Sequence, residues 1–190
     1  GSHHLYNYLP TKHEKWLTMI KQESIDSGLI VDILNAKTME DVFRLLQGCS
    51  FLGSFLAYQY TIDMNYSPYI NFSENDFVKA GIGAIRGIKK CFLCYGNKCE
   101  DAIWYVKEHF NDLQKRYGYT SFHPLLGHEP TLIDLQNCFC ETDKYLRAKM
   151  PELRIGNVRI KQKYMPHTDP IQFFFPPKWN IVEMYKYKPI

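Results

Sequence analysis

The chain has 190 residues, 45% of them hydrophobic and 15% aromatic, with a formal net charge of +3. This supports one well-buried domain and excludes the disordered and fibrous classes. The charge is too small to carry nucleic-acid affinity by itself, so any such affinity must come from clustered cations. No apolar run approaches the roughly 18 residues needed to cross a bilayer.

Gly1 to His4 read as the remnant of an expression tag, which leaves residues 5–190 as a single domain and room for a longer natural protein. No signal-peptide layout is seen, so an intracellular location is expected: the nucleus in a eukaryote, otherwise the cytoplasm. Six cysteines, Cys49, Cys91, Cys94, Cys99, Cys138 and Cys140, then imply reduced thiols rather than a disulfide framework. Their spacing matches no compact ligand knuckle, so neither a metal nor another cofactor is expected.

In chain order, apolar residues at three- and four-residue spacings predict helices over 12–22 and 25–35. Thr38-x-x-Asp41 is a capping box that opens a helix through Leu46. Leu52 to Ile62 repeats the pattern, with Asp63 one turn beyond Gln59 on the same face. Ser73-x-x-Asp76 is expected to cap a short helix leading to Gly81, and Ala84 to Cys94 forms the helix after the Gly81-Ile-Gly83 turn. Ile103 to Tyr117 gives another helix and Asp134 to Met150 a long one, stopped by Pro151. Beyond it, 155–163 alternates as a short hairpin or extended arm, and Phe173 to Trp179 reads as an apolar strap. The fold class is mainly α.

The Gly81-Ile-Gly83 turn carries the strongest functional signal. A glycine turn that opens a helix presents N–H donors and partial positive charge, which suit a phosphate. Arg86, Lys89 and Lys90 follow within three turns, so Gly81, Gly83 and these cations form the candidate nucleic-acid site. The competing reading is a simple connector between helices. His123, His128 and His167 fall in Pro- and Gly-containing loops, where a surface role is expected.

Several blocks together then support a family comparison: Phe55-Leu-Ala-Tyr-Gln59 with Asp63, Phe72-Ser-Glu-Asn-Asp-Phe77, Ala80-Gly-Ile-Gly-Ala84, Gly87-Ile-Lys-Lys-Cys91, Asp134-Leu-Gln-Asn137 and Cys140-Glu-Thr-Asp-Lys-Tyr145. Over residues 12–180 the chain resembles the α-glutamyl/putrescinyl thymine pyrophosphorylases, DNA base hypermodification proteins, and is similar to the helical domain of 5-hydroxymethyldeoxyuridine DNA kinases. The resemblance implies a helix-hairpin-helix DNA-glycosylase-like fold with a short extended C-terminal arm. It implies action on phosphorylated or pyrophosphorylated 5-hydroxymethyluracil in DNA, with an amine displacing the leaving group. The partners implied are DNA, an amino acid or polyamine donor, and a DNA kinase or other modification-pathway protein; a membrane is not among them.

Such chemistry needs an extruded base, a general base for the amine and stabilisation of the leaving phosphate. Asp134 and Glu141, two helical turns apart, and Lys144 beside Glu141 are the catalytic candidates, joined by Asp63. Tyr58 and Gln59 are the substrate-binding candidates. For each there is an opposing structural reading: a solvated helix face for the first set, a buried polar pair or helix cap for Gln59 and Asp63, and core packing for Tyr58 as for Tyr145 and Trp179. Cleavage of the glycosidic bond is disfavoured, because Ile85 stands where bifunctional glycosylases of this class carry a lysine and Asp101 substitutes poorly for their aspartate. No Walker A pattern occurs, so the chain is not itself a kinase. The alternative to a transferase is a non-catalytic DNA-binding or complex-forming module.

Overall fold

The structure, a computed structural model, describes residues 4–121, 128–154, 169 and 175–181. Among these residues the regular structure is helical and no β-strand occurs. The chain divides into two compact units, Gly1–Lys79 and Ala80–Ile190, and each is described by itself.

The first unit opens with a 3-10 turn, His4–Tyr6, and helix α1 (Lys12–Met19). Thr11 and Glu14 start α1 as a reciprocal cap: the Glu14 carboxylate accepts from the Thr11 amide at 3.0 Å, and the Glu14 amide donates back to Thr11 Oγ1 at 3.3 Å. The two helices predicted over 12–35 have a different boundary. α1 runs on through a π-helical stretch, Ile20–Asp26, and the break comes at Gly28, whose φ of +83° favours glycine. Helix α2 (Leu29–Asn35) follows, then α3 (Met39–Gln47), opened by the expected Thr38–Asp41 box, and α4 (Ser54–Asn65). Met19, Ile33, Met39, Val42, Leu46, Tyr58 and Ile62 are buried and form the core.

One carboxylate ties this unit together. Glu23, on the π-helical stretch, accepts from the Tyr6 hydroxyl and from the Ser50 amide, each at 2.6 Å. The phenol is pushed up to about 12, first by burial and then by its bond to Glu23.

The short helix expected over 73–81 does not form. Ser73 Oγ takes the Asn75 amide and the Ser73 carbonyl takes that of Asp76, which closes a turn without starting a helix. The buried Asn65 side chain pairs with both backbone groups of Phe72, at 2.8 and 3.1 Å, and so holds the chain in a non-helical path after α4. The glycine turn is therefore preceded by irregular chain rather than by a helix.

The second unit contains α5 (Ile82–Cys91), α6 (Cys99–Glu108), α7 (Phe110–Arg116) and α8 (Leu132–Lys149). The single helix predicted over 103–117 starts earlier, at Cys99, and is broken at His109, whose φ of −107° and ψ of 17° leave the helical range. α8 ends at Lys149 ahead of Pro151, as expected, and a 3-10 turn follows at Pro151–Leu153. The alternating arm predicted over 155–163 lies outside the described residues. Of the strap, the described part holds a 3-10 turn, Pro177–Trp179, with the Trp179 ring stacked on His128 at 3.8 Å between centroids. No helix among the described residues is long and apolar enough to cross a membrane.

Candidate functional site

Helix α5 begins at Gly81, which adopts extended backbone (φ −74°, ψ 164°) and offers no side-chain cap. Two of the donors at this turn are already taken within the unit. The Ala80 amide donates to Glu100 Oε1 on α6 and the Gly81 amide to Gln136 Oε1 on α8, each at 3.1 Å. The amides of Ile82, Gly83 and Ala84 lie in the first turn, where no intrahelical acceptor exists. The Oε1 atoms of Glu100 and Gln136 therefore orient the turn, and the first-turn amides keep the geometry that suits an anion.

The glycines of α5 have a second purpose, which the sequence reading missed. A Cβ at Gly83 would lie 2.4 Å from Cys140 Sγ, and one at Gly87 would lie 2.0 Å from the carbonyl oxygen of Phe139. α5 thus crosses α8 nearly backbone to backbone, and Gly83-x-x-x-Gly87 is the small-residue stripe that permits it. The four-residue glycine spacing was the available signal.

The three cations after the turn separate. Lys89 is exposed and Arg86 half-buried. Lys90 is turned inward instead: its side chain is only 3% exposed, and its Nζ lies 2.6 Å from Asp143 Oδ1. Arg147 Nε lies 3.1 Å from Asp143 Oδ2, one helical turn along α8. A buried carboxylate between two cations is a packing element of the α5–α8 pair, and Lys90 faces it here rather than solvent. Asp143 and Arg147 were not singled out in the sequence, although their four-residue spacing marks an intrahelical pair.

α8 is a single uninterrupted helix, so Asp134 and Glu141 do share a face, about 10 Å apart along the axis at 1.5 Å per residue. Each is locally engaged. Asp134 Oδ2 accepts from the Thr131 amide at 2.8 Å and from the Thr131 hydroxyl at 2.9 Å, closing the capping box of α8. Glu141 is ion-paired to Lys144 on an exposed surface, and that bond raises the Lys144 ammonium above its ordinary range. Thr131-x-x-Asp134 repeats the Thr38-x-x-Asp41 pattern, so the cap could have been read from the sequence.

The remaining candidates lie on α4, in the first unit. Tyr58 is a core residue rather than a stacking platform: it is 1% exposed, meets Phe77 edge-on at 5.8 Å, and donates to the Phe77 carbonyl at 3.4 Å. Gln59 holds a buried Nε2 with no hydrogen-bond partner, and Asp63 is exposed. Tyr145 is also exposed. His128 packs against Trp179, while His123 and His167 lie outside the described residues.

None of the six cysteines forms a disulfide. Burial pushes the thiols of Cys49, Cys91, Cys138 and Cys140 up, which keeps them protonated near neutral pH and makes them poor nucleophiles. Among the described residues no cluster of three or more His, Cys, Asp or Glu could hold a metal ion.

The family model described as 5-hmdU DNA kinase, helical domain, matches residues 3–155. The chain belongs to that family. As a 5-hmdU DNA kinase helical domain, it agrees with one of the two likenesses read from the residues, and its helical architecture is the one the family's description states. The match spans the first unit, the glycine turn, the α5–α8 pair and the whole of α8. No curated protein and no solved structure matches the chain.

Proposed function

We propose that this helical domain is a DNA-binding module of thymine hypermodification, working beside a kinase that acts on 5-hydroxymethyluracil in DNA, and that it does not itself carry out amine transfer. The observation that carries this reading is the engagement of the acids of α8. Asp134 is bonded to Thr131, Glu141 to Lys144, and Asp143 to Lys90 and Arg147. A general base needs a carboxylate aimed at the incoming amine, whereas these three are aimed at their own helix or its neighbour. DNA phosphate would be held by the first-turn amides of α5 with Arg86 and Lys89. The likeness to helix-hairpin-helix DNA-glycosylase folds enters this reading as the origin of the glycine turn. The domain would work where cellular DNA is, in the nucleus of a eukaryote or otherwise in the cytoplasm.

A second reading, amine transfer to pyrophosphorylated hydroxymethyluracil as in the α-glutamyl/putrescinyl thymine pyrophosphorylases, is favoured by one observation: the buried, unpartnered Nε2 of Gln59, a donor without an acceptor. There a flipped uracil carbonyl would be the acceptor, Asp63 would accept the proton of the amine, and the donor would be an amino acid or a polyamine.

One experiment separates the two. The protein is incubated with DNA containing 5-(pyrophosphoryloxymethyl)uracil and a mixture of amino acids and polyamines, and the DNA is digested to nucleosides for mass spectrometry. The module reading expects bound but unchanged DNA. An amine-adducted nucleoside that disappears in Gln59→Ala, with folding intact, would establish the transferase and overturn the first reading.

A further inference from the structure

The C-terminal end of α5 carries a site that neither reading uses. Within the second unit a cleft of about 550 Å³ opens beside the loop after α5, walled by Phe92, Tyr95, Tyr105, Leu113, Arg116 and Tyr117. That volume falls in the range of small-molecule sites, roughly 300–1,000 Å³. Its rings are accessible rather than packed away: Tyr105 is 45% exposed and Tyr117 67%.

The walls are held in place. Gly96 has a φ of +84°, and a Cβ there would lie 2.7 Å from Asp101 Oδ2. The same oxygen accepts from the Asn97 amide at 2.9 Å and the Lys98 amide at 3.1 Å, so the loop is clamped to the start of α6. Tyr105 is stacked against His109, with centroids 4.3 Å apart, and His109 Nδ1 donates to the Tyr105 carbonyl at 2.9 Å. The Arg116 guanidinium lies 5.9 Å from the Tyr117 ring centroid, which keeps a cation at the aromatic wall.

We infer that this cleft binds an unpaired nucleobase of a DNA strand, the base stacking on the tyrosines and Arg116 meeting the adjoining phosphate. The physical case rests on the combination of groups. Aromatic faces accept any base by stacking, and a guanidinium beside them selects an anionic strand over a neutral or cationic aromatic. Asp101 also lines the cleft, but its Oδ2 already accepts from the Asn97 and Lys98 amides, and Arg116 supplies the cation at the aromatic wall. The base must be unpaired, since its face is covered on both sides inside a duplex. This inference rests on the module reading and specifies the form of DNA that the module prefers.

The test is fluorescence anisotropy of the whole chain with a labelled oligothymidylate and with a duplex of the same length. It is run for the wild type and for Tyr105→Ala, Arg116→Gln and the conservative Tyr105→Phe, each checked by thermal melting. Alkylation of Cys94, whose exposed thiol lines the cleft, is followed by mass spectrometry with and without the oligonucleotide. The expected result is tighter binding of the single strand, weakened about tenfold in Tyr105→Ala and Arg116→Gln and near wild type in Tyr105→Phe, with Cys94 protected. Folded cleft variants that bind the single strand as the wild type does, or an unprotected Cys94, overturn the inference. If duplex binding is then intact, the module reading survives without the cleft; if neither form of DNA binds, both fail.

Discussion

The buried Lys90–Asp143–Arg147 group makes an asymmetric prediction. Removing the charge of Asp143 leaves two cations in a dry contact without their common anion, whereas removing Lys90 leaves a carboxylate still paired to Arg147. Breaking a buried pair from the side that strands charge costs about 3–5 kcal/mol. Asp143→Asn is therefore expected to lose about that much stability in urea unfolding, and Lys90→Met distinctly less; equal losses would contradict the geometry. Tyr6 gives a pH-dependent counterpart. Its phenol titrates near 12 when folded against a reference of 10, so the unfolded chain releases the proton first on raising the pH. Stability from this shift is complete below pH 10 and disappears as pH rises through 12. Tyr6→Phe should cost about 1–2 kcal/mol at neutral pH, because Glu23 loses a donor at 2.6 Å. That deficit relative to wild type should shrink between pH 10 and 12 in paired urea melts.

Between elements, the α5–α8 crossing depends on two glycines that are not equivalent. At Gly87 an added methyl meets a backbone carbonyl, which can move only if the helices separate; at Gly83 it meets the end of the Cys140 side chain. Gly87→Ala is expected to destabilise by about 2 kcal/mol, even after the helix-propensity gain of about 1 kcal/mol. Gly83→Ala should cost less, and adding Cys140→Ala should recover most of its loss, while the same cysteine change should not rescue Gly87→Ala. Equilibrium unfolding of the four variants decides this. These elements also show what was legible in the sequence. Helices with an apolar period and a Thr-x-x-Asp opening, such as α3, fall where the residues place them. The failures at 73–81 and 20–26 share a cause: each local signal is compatible with a helix, and a partner outside the segment selects another conformation. Asn65 holds the backbone at Phe72, and Glu23 holds the Ser50 amide from a π-helical register. A one-dimensional pattern contains neither partner. The site divided in the same way. The glycine turn could be read from the sequence, but whether Lys90 faces solvent or Asp143 depends on the packing of helices 53 positions apart in sequence.

For the whole molecule, a formal charge of +3 over 190 residues leaves little diffuse attraction to DNA, so affinity must come from a few placed contacts. The salt dependence of binding can count them. Each phosphate neutralised by a side chain adds about 0.9 to the slope of log K against log salt on duplex DNA. Arg86 and Lys89 remain accessible on α5, whereas Lys90 is enclosed with Asp143. Arg86→Gln and Lys89→Gln should each weaken duplex binding uniformly across sequences and lower the slope by about one. Lys90→Met should leave the slope unchanged, although it is adjacent in sequence and carries the same charge, and its effect should appear in the unfolding curve instead. Anisotropy titrations at several salt concentrations would check this. Equal slope changes at positions 89 and 90 would mean that the ammonium of Lys90 leaves Asp143 to reach DNA, and the α5–α8 pair would then have to open on binding.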